Sequence, residues 1–296
     1  MPETPEPRRA RSGLALAALL AGATCIALSP IWVRVADVGP TASAFWRVAL
    51  AVPVLWAVHA IAASGRSPGS RLPWTAFIAA GLAFAGDLAF WHWSIQFTSV
   101  ANSTLLANLA SIFVTLAAWV LWRQRPTRLF AAGLALALAG VLMLVRTSAD
   151  FSATALFGDF LGLVTAMFYA WYILAVKGLR DRGAGVLHLM AVTTTLTAVL
   201  LLPVAMLSGE ALLPQSGAGW LKLLGLALVS HSAGQGLIAY GLGHLPATFS
   251  SVGLLLQPVM AGVFAWVLLG EPLVALQVAG GGVVLAGIYL ARRGSN

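Results

Sequence analysis

Apolar residues along this chain form ten long runs that are separated by short polar breaks. An α-helix rises about 1.5 Å per residue, so about 20 apolar residues cross the hydrocarbon layer of a membrane. The pattern therefore predicts an all-α membrane protein with ten transmembrane helices. The predicted helices cover residues 13–34, 40–62, 73–97, 100–122, 127–145, 155–177, 185–207, 218–243, 247–269 and 273–291.

The breaks between the runs carry Gly, Pro and charged residues, which typically end helices. One break, near Thr98–Ala101, has neither Gly nor Pro and is the weakest boundary. The other breaks are Asp37–Pro40, Gly65–Pro73, Arg123–Pro126, Thr147–Asp150, Gly178–Gly183, Ser208–Gly217, Gly243–Pro246 and Gly270–Pro272.

The composition agrees with a membrane protein and excludes a soluble one. Hydrophobic residues make up 60% of the 296 residues and charged residues only 9%, whereas roughly 25% of a soluble domain is charged. The single cysteine, Cys25, lies inside an apolar run, so neither a disulfide framework nor a metal site is predicted. Because no Gly-rich phosphate-binding loop is present, we expect no nucleotide-hydrolysing site and no cofactor.

The basic residues indicate the orientation, because cytoplasmic loops of membrane proteins carry an excess of Lys and Arg. An N-terminus in the cytoplasm places 13 of the 17 basic residues on the cytoplasmic side. These are Arg8, Arg9, Arg11, Arg66, Arg71, Arg123, Arg125, Arg128, Lys177, Arg180, Arg182, Arg292 and Arg293. Arg34, Arg146 and Lys222 fall outside, and Arg47 lies within the second helix. We therefore predict a bacterial-type inner membrane protein with both termini cytoplasmic, and no nucleic acid partner for its net charge of +8.

The N-terminal segment has two interpretations. Three arginines precede an apolar stretch, which resembles a cleaved signal peptide. However, the stretch from Gly13 to Val33 is as long as a transmembrane helix, and no small-residue cleavage site clearly ends it. We predict an uncleaved first helix that follows a cytoplasmic tail of residues 1–12.

Self-comparison of the sequence indicates an internal repeat. Ala-Gly-Asp at residues 85–87 returns as Ala-Gly-Gln at 233–235, and Ala-Trp-Val-Leu at 118–121 returns at 265–268. The spacing between the two motifs agrees to within two residues. The halves of the chain are therefore predicted to be related.

The repeat divides the chain into two five-helix halves, 13–146 and 147–291, before a cytoplasmic tail of 292–296. Because five is an odd number, the second half is inserted upside down relative to the first. Inverted repeats in transporters place the substrate site near the bilayer midplane, between the repeats. A duplicated bundle with only a structural role is the alternative.

Several motifs resemble the EamA type of the drug/metabolite transporter superfamily over nearly the whole chain. The clearest is Gln257-Pro258, followed by Leu-Gly-Glu-Pro at residues 269–272. Further matches are Ala-Phe-Trp-Arg at 44–47, residues 98–103 and Gly-Asp at 158–159. The first half departs from the pattern at Ser111, where Pro is expected, and at Arg123-Gln124-Arg125, where Gly-Glu is expected.

The resemblance implies two EamA repeats and transport of small organic metabolites, and YddG-like amino-acid exporters are the nearest comparison. The leading interpretation is a secondary or facilitative amino-acid exporter that works by alternating access, with a small-molecule substrate and membrane lipid as its partners. Uptake of a vitamin, nucleoside or nucleotide-like metabolite is an alternative within the same fold. An intramembrane enzyme is a remote alternative that we do not expect, because the membrane interior supplies one Asp and only scattered His residues.

Charges inside the hydrocarbon layer are costly, so polar residues within the predicted helices mark the candidate site. Asp87 lies near the middle of the third helix and is a candidate for proton coupling or for binding a substrate amine. Arg47 is a candidate for binding a substrate carboxylate. An ion pair between Arg47 and Asp87 is the structural alternative for both residues.

Aromatic residues near Asp87 suggest a cavity for an amphipathic metabolite. Trp91 and His92 follow Asp87 by about one turn, and Tyr169 and Tyr172 lie three residues apart in the sixth helix. An interfacial belt position for Trp91 and a structural hydrogen bond for His92 are the alternatives.

The eighth helix contributes His231 and Gln235, which share a helix face, and Tyr240 further along. Gln235 is the repeat counterpart of Asp87, and Tyr240 is that of His92. We expect the pseudo-twofold axis to bring such pairs towards one shared site.

Other residues within the helices are expected to be structural. Asn102 and Asn108 are predicted to join neighbouring helices by hydrogen bonds. Pro258 is predicted to bend the ninth helix. The glycines of the fifth and tenth helices predict close helix packing and a homodimer surface. These are Gly133, Gly140, Gly280–Gly282 and Gly287.

Overall fold

The computed structural model describes residues 5–63, 72–98, 100–144 and 152–295. Every regular element in these ranges is a helix, which confirms the predicted all-α class. The predicted basic residues that lie outside the description are Arg66, Arg71 and Arg146, together with the side chains of Arg8, Arg9 and Arg11.

We number the helices α1 to α10 and mark the two parts of a broken helix a and b. The bounds are α1a (Pro5–Ala27), α1b (Ser29–Val35), α2a (Pro40–Ala49), α2b (Ala51–Ala63), α3 (Trp74–Phe97), α4a (Val100–Ala107), α4b (Ala110–Trp122), α5 (Arg128–Leu144), α6 (Ala153–Asp181), α7 (Val186–Leu207), α8 (Gly217–Leu242), α9a (Ala247–Gly253), α9b (Leu256–Leu269) and α10 (Ala275–Gly294).

Within the described residues, nine of these helices are long and apolar enough to cross a membrane. The remaining helix, α5, is apolar but has only 17 residues, the lower end of the range of about 17–25 that a span requires. α1a begins at Pro5 and extends into the predicted tail, because proline is tolerated in the first helical turn. The break predicted near Thr98 is present, and the backbone there is extended.

Three helices break at or just before a proline. A proline ring clashes with the carbonyl group four residues earlier in a helix. Pro258 thereby interrupts α9 at Leu254–Leu255, as predicted, and Pro53 interrupts α2 in the same way. Pro30 lies in the first turn of α1b, after the break at Leu28.

The break in α4 has no proline. The Asn108 side chain donates a hydrogen bond of 2.7 Å to the Thr104 carbonyl, and such local bonds compete with the helical ladder. The bond that was predicted to join neighbouring helices is thus made within α4. Asn102, in contrast, donates to the Asp159 carboxylate of α6 at 3.1 Å and links two helices as predicted.

The helix boundaries repeat with the same offset as the sequence. α9a begins at Ala247, 147 residues after the start of α4a at Val100, and α10 begins at Ala275, 147 residues after the start of α5 at Arg128. The middle of α8 is a π-helix, Leu226–Gln235, whereas its counterpart α3 is a regular α-helix throughout. The repeat therefore holds for the ends of the helices but not for every turn within them.

Helices α5 and α10 pack against each other in antiparallel orientation, with glycines at the contact. A Cβ atom on Gly140 would lie 2.6 Å from the Val284 nitrogen and 2.7 Å from the Gly280 carbonyl oxygen. Gly287 lies equally close to the backbone of Ala137. Backbones approach this closely only where the Cβ atom is missing. These glycines are thus used within the chain, and they no longer support the predicted homodimer.

One face of the bundle, here called the distal face, carries the loops after α1, α3, α7 and α9, which polar contacts tie to the helices. The Glu210 carboxylate, in the loop after α7, accepts hydrogen bonds from the Thr41 hydroxyl (2.8 Å) and the Ala42 N–H (2.9 Å) at the start of α2a. Arg34 at the end of α1b forms an ion pair with Glu271 in the loop before α10.

The opposite face, here called the terminal face, carries the end of α10, the end of α6 and the linker 123–127 between α4b and α5. The Thr127 hydroxyl donates a 2.6 Å hydrogen bond to the Gly294 carbonyl. Arg180 donates to the backbone carbonyls of Ala239 and Ala184.

Candidate functional site

A cavity of about 100 Å³ lies between α1, α2, α3, α4, α6, α8 and α9. Apolar side chains make up much of its wall, and a limited set of polar side chains points into it, which is typical of small-molecule sites. The polar lining residues are Ser29, Arg47, Asp87, Thr104, Asn108, Thr165, Tyr169, Gln235 and Gln257.

Three of the broken helices border this cavity at their breaks. Ser29 and Pro30 follow the break in α1, Asn108 lies at the break in α4, and Pro258 follows the break in α9. A helix break leaves backbone groups without partners inside the helix. Transporter sites in the membrane use such interrupted helices to hold polar substrates.

Arg47 brings a positive charge to the cavity from the last turn of α2a. The residue is only 5% exposed, and its Nε atom has no hydrogen-bond partner among the described residues. The guanidinium carbon lies 6.0 Å from the centre of the Phe84 ring. A buried charge without a polar partner is costly, so the position is suited to an anionic group of a ligand.

Asp87 brings a negative charge to the same cavity from α3. In the part of the chain that the structure describes, no ion pair of 4.0 Å or less joins it to Arg47, and the two ion pairs present lie elsewhere. The ion pair that was the structural alternative for both residues is therefore not formed in this conformation. The cavity carries two opposite charges that are free to contact a ligand.

Two glutamines and a tyrosine surround these charges. Gln235 is buried, and its Oε1 atom has no hydrogen-bond partner within the described ranges. Gln257, just after the break in α9, donates a hydrogen bond of 3.4 Å to the Tyr169 hydroxyl. Trp91 contributes an aromatic surface beside them. The cavity thus offers two charges, amide groups and an apolar wall to a single ligand.

Two of the predicted site residues, both histidines, do not line this cavity. His92 is fully buried, and its Nδ1 atom lies 2.6 Å from the Leu88 carbonyl oxygen one turn earlier. The Nε2 atom of His231 lies 2.8 Å from the Thr194 hydroxyl of α7. Both side chains are held by contacts between or within helices in this conformation.

Two predicted tyrosines also lie away from the cavity wall. Tyr172 is buried, with its ring centre 4.6 Å from that of Phe84, so it packs behind the cavity. Tyr240 lies near the terminal end of α8, where its ring centre is 4.6 Å from that of His244.

The inverted repeat explains which counterparts meet. Asp87 and Gln235 both line the cavity. His92 lies on α3 beyond Asp87 towards the distal face, whereas its counterpart Tyr240 lies on α8 towards the terminal face. A twofold axis in the membrane plane brings together only residues close to the midplane and sends displaced residues to opposite faces.

Some cavity residues were not predicted as site residues. Gln257 was noted only as a neighbour of Pro258, and Asn108 was assigned to helix association. Ser29, Thr104 and Thr165 were not considered at all. The prolines at 30 and 258 were the available signal, because polar residues beside a helix break tend to line a cavity in a membrane. The described residues contain no group of three or more His, Cys, Asp or Glu that could hold a metal ion.

The spans, the inverted halves and the polar cavity at the broken helices define a multi-pass integral membrane protein of the transporter class. The EamA-like transporter family matches residues 13–146 and 156–293, and the chain belongs to this family. It is a membrane transporter of the EamA type in the drug/metabolite transporter superfamily. The tandem match fits the predicted architecture of two repeats.

Named relatives share the transporter description. An uncharacterised transporter of Archaeoglobus fulgidus is 29% identical over 86% of this chain and 88% of its own. A probable amino-acid metabolite efflux pump of Salmonella typhimurium is 30% identical over 74% of this chain and 77% of its own. A probable terminal-alkyne amino-acid exporter of Streptantibioticus cattleyicolor is 29% identical over 68% and 67%.

A solved crystal structure is similar along the whole chain. It superposes with a TM-score of 0.80 and covers 98% of this chain and 99% of its own, at 18% sequence identity. At this identity the similarity establishes the fold alone.

Proposed function

We propose that this protein exports small amino-acid-type metabolites as a secondary or facilitative transporter. One observation carries the proposal: the buried Arg47 and the carboxylate of Asp87 face one cavity without pairing with each other. An α-amino acid presents a carboxylate and an ammonium group on one carbon atom. Arginine binds carboxylates through parallel, charge-assisted hydrogen bonds, and Asp87 supplies the negative partner for the amine.

The remaining cavity wall suits an apolar side chain. Ile26, Pro30, Leu88 and Trp91 line the cavity beside the charged pair. A substrate with a small aliphatic or unsaturated side chain would bury it against these residues, at about 0.8 kcal/mol per methylene group. The printed names of the relatives from Salmonella typhimurium and Streptantibioticus cattleyicolor agree with an amino-acid substrate.

The charge distribution supports a cytoplasmic terminal face. On this face the structure describes eight basic residues at helix ends and in loops, against two on the distal face. Those on the terminal face are Arg123, Arg125, Arg128, Lys177, Arg180, Arg182, Arg292 and Arg293, and those on the distal face are Arg34 and Lys222. Both ends of the chain then lie in the cytoplasm, in an inner membrane of the bacterial type.

Substrate counterflow in proteoliposomes tests the proposal. Purified protein would be offered amino acids, nucleosides and vitamins, each compared with its N-acetyl and carboxamide derivatives. We expect flux of amino acids with small apolar side chains and no flux of either derivative. Flux of nucleosides or vitamins without amino-acid flux would overturn the proposal and favour uptake of such compounds.

Two variants assign the charges to the two ends of the substrate. Asp87→Asn is expected to lower flux and to reduce the discrimination against N-acetyl amino acids, because a neutral amide no longer requires a cation. Arg47→Gln is expected to reduce the discrimination against carboxamides. Lys222→Gln, which neutralises a cation of the distal face, is the matched control. Equal loss of discrimination in both variants would contradict the assignment.

A further inference from the structure

The ion pair of Arg34 and Glu271 ties together two half-helices that border the cavity. Arg34 lies at the distal end of α1b, whose first residues line the cavity. Glu271 follows α9b, which lines the cavity through Gln257 and Pro258. The pair therefore holds the distal mouth closed in this conformation, and we call it the distal latch.

The repeat defines where the counterpart of this latch must lie. The offset of 147 residues relates Glu271 to Gln124, in the linker after α4b. The N-caps of α2a and α7, Gly39 and Gly185, differ by 146 residues and relate Arg34 to Arg180 at the end of α6. The counterpart of the distal latch thus falls on the terminal face, between α6 and the linker.

That place is occupied by an open cavity of about 760 Å³. Its wall includes Gln124 and Arg125 on the linker and Asp181 on α6. Gln124 has no charge, and Arg180 is already bound to the Ala239 and Ala184 carbonyls. A copy of the Arg–Glu pair is therefore not available on this face.

Opposite charges nevertheless stand next to both counterpart positions, in exchanged order. Asp181 follows Arg180 on the helix, and Arg125 follows Gln124 on the linker. Asp181 is the only carboxylate between residues 160 and 209. In the present conformation it accepts a hydrogen bond from Lys177 of the same helix, one turn earlier.

We propose that Asp181 and Arg125 form a second latch, of reversed charge, which closes the terminal face when the distal latch opens. The proposal rests on the transport function proposed above, since alternating access requires each face to close in turn. Asp181 exchanges Lys177 for Arg125 as the cavity of the terminal face collapses. The two residues are then gating residues of the transport cycle, at a distance from the substrate site.

Cysteine cross-linking tests the latch without any substrate. In a Cys25→Ser background, the pair Arg125→Cys/Asp181→Cys would be treated in membranes with a short bismaleimide. The added substitution Glu271→Gln breaks the distal latch. We expect it to raise the cross-linked fraction by about two- to fivefold, the shift that loss of one exposed ion pair produces in a two-state equilibrium. Lys222→Gln is the matched control and should leave the fraction unchanged.

The reciprocal pair supplies an independent measurement. Arg34→Cys/Glu271→Cys is expected to cross-link readily in the same background, because these residues are in contact in the present conformation. A third variant tests the charge order: Arg125→Asp/Asp181→Arg is expected to restore the flux that either single substitution lowers. Arg182→Gln, which neutralises a cation on the same wall as Asp181, should leave flux near that of the unmodified protein.

The latch is refuted if the Arg125–Asp181 cysteine pair fails to respond to Glu271→Gln while the distal pair cross-links. It is equally refuted if the charge swap transports no better than the single variants. A protein that transports no amino acid but shows the expected cross-linking would overturn the proposed substrate and leave the latch standing.

Discussion

Arg123 and Gly270 end the equivalent helices α4b and α9b in the same left-handed conformation, with φ of 56° and 69°. Their N–H groups donate to the carbonyls of Ala118 and Ala265, which are also 147 residues apart. Arg123 is the only residue other than glycine with a positive φ in the described ranges. The fold therefore imposes on Arg123 a turn for which the second repeat uses glycine.

Arg123→Gly is expected to stabilise the protein. A left-handed conformation costs an L-residue about 1 kcal/mol relative to glycine, so thermal unfolding in detergent should shift upwards by an amount of that order. Arg123→Ala is the matched control, since it removes the same side chain but keeps the Cβ atom. A similar rise in both variants would show that the side chain, and not the backbone, is responsible.

Gly287→Ala is expected to destabilise the contact between α5 and α10. The new Cβ atom would lie 2.7 Å from the Cα atom of Ala137, and overpacking of this kind costs about 1–3 kcal/mol. Gly282→Ala, on the same helix, meets nothing within 4 Å and should leave the unfolding midpoint unchanged. If the two variants unfold alike, the close contact seen between these helices has no energetic role.

Glu210→Ala is expected to loosen the start of α2a, the helix that carries Arg47. Its carboxylate caps the Ala42 N–H, and loss of a helix cap costs about 0.5–2 kcal/mol. Amide hydrogen exchange at Ala42 should accelerate, and less so in Glu210→Gln, which keeps one acceptor oxygen. Asp159→Asn neutralises another distal carboxylate, bound to Thr98 and Asn102, and should not change exchange at Ala42.

The contact between Asp37 and Ser216 on the distal face is expected to depend on pH. Hydrogen bonds from Ser216, led by that of its hydroxyl, hold the pKa of Asp37 below its ordinary value of 3.8. Because the pKa is lowered by folding, the contribution of Asp37 to stability is present at neutral pH and is lost as the pH falls through the folded pKa.

Asp37→Ala tests this dependence through the unfolding midpoint as a function of pH. The midpoint should fall relative to the unmodified protein at neutral pH, and the difference should vanish below the ordinary pKa of aspartate. In a Ser216→Ala background the same substitution should have a smaller effect at neutral pH. A difference that persists at acidic pH would mean that Asp37 acts through contacts other than its charge.

Much of the fold could be predicted because its signals are local. An apolar run long enough to cross the membrane is visible without any partner, and a proline such as Pro258 interrupts a helix wherever that helix packs. The break at Asn108 was not predicted, because a hydrogen bond from Asn to its own helix competes with several other bonds that the same side chain can form.

The glycines of α5 and α10 show where local information ends. A small-residue stripe predicts a close helix contact, but the same stripe fits a second copy of the chain and another helix of the same chain equally well. Only the tertiary structure assigns Gly140 and Gly287 to the contact between α5 and α10.

The sequence by itself determined the spans, the repeat and the few residues whose charge is costly in lipid, Arg47 and Asp87 among them. These follow from composition and spacing, since the price of a buried charge does not depend on its neighbours. Only the tertiary structure decided which polar side chains line the cavity: Asp87 and Gln235 face it, whereas His92 and His231 bind elsewhere. A helix fixes the angle between two of its residues, but packing against distant segments decides which face meets the cavity.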